Sequence, residues 1–127
     1  MEASAYLFDL HKAHVAWKKD LAFYEDDLQV LKKRLSEVSI QNTSQDIKMK
    51  VEQFQNKFII QKEQMDILNH DIQISEDAIQ EDIKENPVAS DHRKMNEKTD
   101  LGDRMETFTK LFTEMKGNFN KFVGKNL

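Results

Sequence analysis

The chain has 127 residues, a length typical of one domain, and its 19 Lys and Arg against 23 Asp and Glu give a net charge of -4. This charge argues against nucleic acid as a partner, because phosphate binding depends on neutralisation by Lys and Arg. The chain has no cysteine, which excludes disulfides and cysteine-ligated metal sites, and no glycine precedes residue 102, which favours long helices.

The first predicted helix carries an apolar residue, or His14, at alternating spacings of three and four over more than four heptads. The positions are Leu7, Leu10, His14, Trp17, Leu21, Tyr24, Leu28, Leu31, Leu35 and Val38. This a/d pattern predicts a helix from about residue 4 to about residue 39 that supercoils against its neighbours. The next residues break the pattern, with Asn42 as a helix stop and Thr43 or Ser44 as the next N-cap.

A second stripe follows with the same spacing and with Gln61 and Ser75 as its polar members. It consists of Ile47, Val51, Phe54, Phe58, Gln61, Met65, Leu68, Ile72, Ser75 and Ile79. The predicted helix covers about residues 45–85, because Pro87 disfavours a helical conformation in the residue before it.

The third stripe is regular only in its second half. Its positions are Leu101, Met105, Phe108, Phe112, Met115, Phe119 and Phe122, while Val88, His92 and Met95 follow the same spacing in another phase. Residues 88–99 form either a separate short helix or loop, or the start of one continuous helix with a local distortion near Gly102. We favour one helix over about residues 88–123.

Short connections between long amphipathic helices make neighbouring helices antiparallel. The expected fold is therefore all-α, an up-down-up antiparallel bundle of three long helices with coiled-coil-like heptad packing, in one domain over residues 1–127. No apolar run approaches the length of a membrane span, and the N-terminus lacks the basic start and apolar core of a signal peptide, so the expected location is the cytoplasm.

A set of apolar residues remains outside the three stripes. On the second helix these are Ile60, Ile67 and Ile74, one heptad apart, and on the first helix they include Phe23 and Val30. They serve either as the wider apolar face of a helix that touches two neighbours, or as an interface. The leading hypothesis is a non-enzymatic protein that acts by forming a homodimer or by binding a helical partner.

The histidines suggest an alternative of another class, a metal-binding bundle for storage, sensing or oxygen chemistry. With the first turn centred near residue 42, His14 is level with His70. His11 shares a helix face with His14, while Asp66 precedes His70 by one turn and Asp103 falls near the same height. Iron, zinc or manganese could bind such a set.

Three features of the sequence weaken the metal hypothesis. No Glu-x-x-His motif is present, the heptad positions turn His70 away from the seam, and a lone seam histidine such as His14 is more often a hydrogen-bonded core residue. Phosphate loops and hydrolytic triads have no counterpart in this chain either. The lysines among the last phenylalanines fit a basic flank of the core stripe better than a membrane-binding surface.

Overall fold

The computed structural model describes the backbone of residues 2–85 and 87–127, and the side chains of residues 6–81, 84 and 98–127. Three helices make up the described backbone: α1 (Glu2–Gln41), α2 (Gln45–Glu85) and α3 (Pro87–Asn126). Each packs against the other two. This arrangement confirms the predicted all-α bundle of three long helices. Over the described residues, none of the helices has a stretch apolar enough to cross a membrane.

Contacts between helices show the up-down-up order. Glu25 of α1 binds Lys62 of α2 over 2.5 Å, and Asp71 of α2 binds Arg104 of α3 over 2.7 Å. Each pair joins a residue of one helix to a residue of the next helix, and the two residues lie at similar distances from the end of the first helix and from the start of the second. Neighbouring helices are therefore antiparallel.

The end of the bundle at the first turn is fastened by Asn42. Its Nδ2 donates to the carbonyl of Val38 and to the carbonyl of Asn126, both over 2.9 Å. The first bond satisfies a carbonyl that the end of α1 leaves open, and the second ties α1 to the end of α3. The carbonyl of Ser44 accepts the first bond of α2, from the amide of Lys48 over 3.0 Å, so Ser44 holds the N-cap position.

The a/d positions form the core, as predicted. Every residue of the first stripe is buried except Trp17 and Tyr24, and every residue of the second except Ile47 and Gln61, which are partly buried. The third stripe is buried throughout, from Leu101 to Phe122. The heptad pattern therefore placed the core correctly, because a 3.5-residue period keeps one line of side chains facing the neighbouring helices.

Aromatic rings fill the core near the first turn. Phe54 and Phe58 of α2 meet Phe119 of α3 edge-on, with ring centroids 5.2 and 5.3 Å apart. Farther along the bundle, Tyr24 of α1 packs on Phe112 of α3 at 5.0 Å. Such edge-on and tilted contacts each add roughly 0.5–1.5 kcal/mol beyond the burial of apolar area.

At the end of the bundle far from the first turn, His14 separates a small part of the core from the rest. Among the described residues, Leu7, Leu10 and Ile79 form a small apolar cluster of their own, and the partly buried Trp17 packs against both this cluster and the main core. His14 lies between the two on α1, with its ring centroid 5.8 Å from that of Trp17. A polar residue thus interrupts an otherwise continuous apolar seam.

Candidate functional site

His14 is fully buried and contacts Glu76 of α2. Its Nδ1 donates to Oε1 of Glu76 over 3.0 Å, while Nδ1 of His11 donates to both carboxylate oxygens over 2.8 and 2.9 Å. The two histidines are three residues apart on one face of α1, so a single carboxylate reaches both. We call His11, His14 and Glu76 the histidine–carboxylate cluster, which links α1 to α2.

The carboxyl group of Glu76 has a shifted pKa. Burial raises this pKa because the charged form loses water, but the hydrogen bonds from His11, His14 and Gln80 outweigh it, and the net pKa lies below the ordinary value of 4.5. Nε2 of Gln80, one turn farther along α2, donates to Oε2 of Glu76 over 3.2 Å. The cluster therefore stabilises the ionised form of a carboxylate that is only 15% exposed.

The predicted pairing of His14 with His70 needs correction. The first turn occupies residues 42–44, and side chains on a helix lean toward its N-terminus. His14 therefore leans away from the turn and Glu76 leans toward it, so these two meet, six positions farther along α2 than predicted. His70 is exposed, as its position outside the seam indicated.

The two predicted carboxylate ligands also have other surroundings. Asp66 accepts a hydrogen bond from Lys62, one turn before it, over 2.8 Å. Asp103 is exposed beside a groove between α2 and α3, and it is the neighbouring Arg104 that reaches α2. Among residues 6–81, 84 and 98–127, no three His, Cys, Asp or Glu side chains are arranged to hold a metal ion.

The isoleucine stripe, formed by Ile60, Ile67 and Ile74 of α2, lies at the surface. These side chains are 53, 47 and 54% exposed. Phe23 and Val30 of α1 are also exposed, and the ring of Phe23 packs edge-on against Tyr24 of its own helix. All five residues thus remain accessible to a partner.

The stripe borders a groove between α2 and α3. This apolar groove has a volume of about 430 Å³, with Leu68 and Phe108 among its lining residues and Ile60 and Leu111 beside them. Leu111 is half exposed, and the sequence interpretation missed it. It lies next to the buried Phe112, outside the a/d pattern, and only the position of α3 beside α2 brings it to the same groove as Ile60.

A second groove continues along the same side of the bundle toward the first turn. It has a volume of about 250 Å³, and Phe54 and Phe122 line it together with four lysines. The lysines are Lys50, Lys57, Lys121 and Lys125. We call it the lysine groove, and we call this whole side of the bundle, with both grooves and the isoleucine stripe, the α2–α3 face.

The four lysines have no carboxylate partner within the described part of the chain, where the ion pairs of lysine and arginine are formed by Lys62, Arg104 and Lys116. The Nζ of Lys57 instead lies 5.2 Å from the centroid of the Phe54 ring. These positive charges are therefore available to an anionic group outside the chain.

No protein-family model, no curated protein and no solved structure matches this chain. Two features of the molecule remain as candidates for a functional role. The histidine–carboxylate cluster is closed by hydrogen bonds within the bundle, whereas the α2–α3 face is open and has both apolar and charged groups. The open face is the better candidate for contact with another molecule.

Proposed function

We propose that this protein acts by self-association, and that the isoleucine stripe with the adjoining apolar groove binds a second copy of the chain. The observation that supports it is the line of three half-exposed isoleucines, one heptad apart, beside a groove with the half-exposed Leu111 on its other side. Burying apolar surface gains about 25 cal/mol per Å². A heptad line of such residues fits a helix laid along it.

The second copy is the simplest occupant, since symmetric homodimers are the commonest assemblies of soluble proteins. A helix of a different protein is the alternative occupant, because an amphipathic helix also binds in a groove through apolar residues at heptad spacing. Phe23 and Val30 offer a further exposed apolar surface on α1. The proposed role needs no catalytic group.

Sedimentation equilibrium over a wide concentration range tests the proposal. We expect a monomer–dimer equilibrium that Ile60→Lys weakens by roughly tenfold or more, because the variant places a charge in the apolar contact. Ile60 is exposed in the single chain, so the substitution leaves the core intact.

Ile59→Lys is the matched control. Ile59 is the adjacent residue and is 54% exposed, but it lines a groove between α1 and α2. This variant should dimerise like the wild type. A wild-type chain that stays monomeric at high concentration, or an equal loss of affinity in both variants, would contradict the proposal.

A further inference from the structure

We infer that the two copies pack antiparallel through their α2–α3 faces, about a two-fold axis that crosses α2 at Ile67. The positively charged end of each copy then lies against the negatively charged end of the other. This inference rests on the proposed self-association and specifies its geometry. Three properties of the α2–α3 face carry it: the centre of the stripe, the limited choice of two-fold axes, and the distribution of charge.

The isoleucine stripe is centred on Ile67. One heptad beyond its ends, the same line of α2 carries Gln53 and Glu81, both polar. A two-fold axis at Ile67 places Ile60 of one copy opposite Ile74 of the other and so keeps all three isoleucines in the contact. Since α2 covers residues 45–85, this axis also passes close to the middle of the helix, and the two bundles overlap along their full length.

Two orientations of the axis are possible for a contact between two identical faces. An axis parallel to the helices sets the copies side by side with equal ends together. An axis across the helices sets them antiparallel with opposite ends together. Both bury the isoleucine stripe, so the apolar residues alone do not select between them.

The charges select the antiparallel arrangement. Residues 32–57 and 118–127 form the end of the bundle at the first turn, which we call the basic end. They carry eight Lys and Arg against three Asp and Glu, a net charge of +5, whereas the rest of the chain carries eleven against twenty, a net charge of -9. Equal ends together would bring two charges of +5 side by side.

The charged groups on the α2–α3 face repeat this division. The lysine groove occupies the face at the basic end. Beyond the isoleucine stripe, the same face carries exposed carboxylates at Glu81 of α2, one heptad after Ile74, and at Asp100 of α3, which lines a groove between α2 and α3 together with Ile74. We call this region the acidic end. The antiparallel arrangement sets each lysine groove over an acidic end, and such complementarity fixes the orientation of partners and rejects like-charge juxtaposition.

Cross-linking of single-cysteine variants tests the orientation, and the absence of native cysteine leaves the introduced thiols as the only ones. The variants are Ile60→Cys and Ile74→Cys, each of which keeps a small apolar side chain in the stripe. The probe is a bis-maleimide that spans less than about two helical turns, or roughly 11 Å. It tolerates a small error in register, but it cannot bridge positions 60 and 74 if they lie at heights about 21 Å apart.

We expect a mixture of the two variants to form a covalent heterodimer, in which the thiol of the Ile60→Cys chain is linked to the thiol of the Ile74→Cys chain, while neither variant alone cross-links to itself. Efficient cross-linking of each variant to itself, with none between them, would overturn the antiparallel arrangement and leave the proposed self-association standing. A chain that is monomeric in sedimentation and yields no cross-link in any mixture would overturn both.

A charge-reversal experiment provides a second readout, which needs no cysteine. We expect the double variant Lys50→Glu with Lys57→Glu to dimerise roughly tenfold more weakly than the wild type at low salt, with the difference shrinking as salt rises. The matched control is Lys33→Glu with Lys48→Glu, which makes the same charge change at the same end with residues outside the lysine groove. Equal dimerisation of the two double variants would overturn the electrostatic selection of the orientation.

Discussion

Glu76 shows how much one side chain depends on its neighbours in space. It belongs to an acidic run near the end of α2, and such a run is usually a solvated face. In the folded chain its carboxylate accepts hydrogen bonds from His11 and His14 of another helix. The polar seam residue His14 therefore has a partner, and the contact fixes how α1 is placed along α2.

The lowered pKa of Glu76 predicts a pH-dependent contribution to stability. A carboxyl whose pKa is lower in the folded than in the unfolded chain stabilises the fold above its unfolded pKa, and the contribution is lost as pH falls through the folded pKa. The pH range in which this contribution to stability is lost therefore lies below the ordinary carboxyl pKa of 4.5. We expect Glu76→Gln to lower the free energy of unfolding by about 1–3 kcal/mol at pH 7, and by much less at pH 3.

Urea unfolding at the two pH values measures this difference. Glu63→Gln is the control, because Glu63 is exposed on the same helix and lies outside the acidic end, and its substitution should change the free energy of unfolding by less than about 0.5 kcal/mol at either pH. If Glu76→Gln costs the same at pH 3 as at pH 7, the carboxylate does not contribute through its charge.

At the scale of the elements, α3 is the helix whose sequence left two alternatives open. The structure shows one helix over Pro87–Asn126, with Pro87 in its first turn, where a missing amide proton has no cost. Gly102 lies inside this helix and faces Trp17, since a Cβ built on it would be 3.5 Å from Cζ2 of the indole. The glycine thus lies where the large ring of α1 meets α3, but the distance leaves room for a methyl group.

Gly102→Ala should therefore stabilise the bundle. Alanine favours the helical conformation over glycine by up to about 1 kcal/mol, and the added methyl group would make an ordinary van der Waals contact with Trp17. Thermal unfolding followed by circular dichroism measures the gain.

Gly117 supplies the reference for this prediction, because a Cβ there would have no neighbour within 4 Å. Gly117→Ala should show the gain in helix propensity alone. A loss of stability in Gly102→Ala together with a gain in Gly117→Ala would mean that α3 cannot accept a side chain beside Trp17.

For the whole molecule, shape and charge distribution follow from three helices of nearly equal length. Helices of 40, 41 and 40 residues give a rod about 60 Å long. The up-down-up order brings residues 32–57 together with residues 118–127 at one end, although these segments are far apart in the chain. A chain with a small net charge thereby becomes a rod with a basic end.

Small-angle X-ray scattering of the dimer tests the consequence for shape. Antiparallel packing along the full length of the rod should double the mass while the maximum dimension stays close to the roughly 60 Å of one bundle. End-to-end association through opposite charges would instead give a dimension of about 120 Å, and that result would contradict packing through the α2–α3 face.

The sequence by itself determined the helical fold and the core, and it placed the isoleucine stripe outside the heptad seam. It left open whether a neighbouring helix covers the stripe, and the structure shows these side chains about half exposed. Heptad spacing is a local property of each helix, and it specifies which side chains share a face whatever the neighbouring helix is. The same spacing predicted the burial of His14, while Pro87 and the N-cap candidates Thr43 and Ser44 predicted the bounds of α2. The sequence also placed Phe23 and Val30 outside the heptad seam, and the structure shows that their side chains are exposed.

Only the tertiary structure decided which residues meet between helices. The partner of His14 depends on the direction in which side chains point along their helices and on the height at which the two helices pair. These two effects place His14 against Glu76, which lies one to two turns beyond the predicted neighbour His70 on α2. Leu111 and the four lysines gain their common setting from the position of α3 beside α2. A periodic pattern fixes a side chain's angle around its own helix, but its neighbours across a groove depend on how the helices pack.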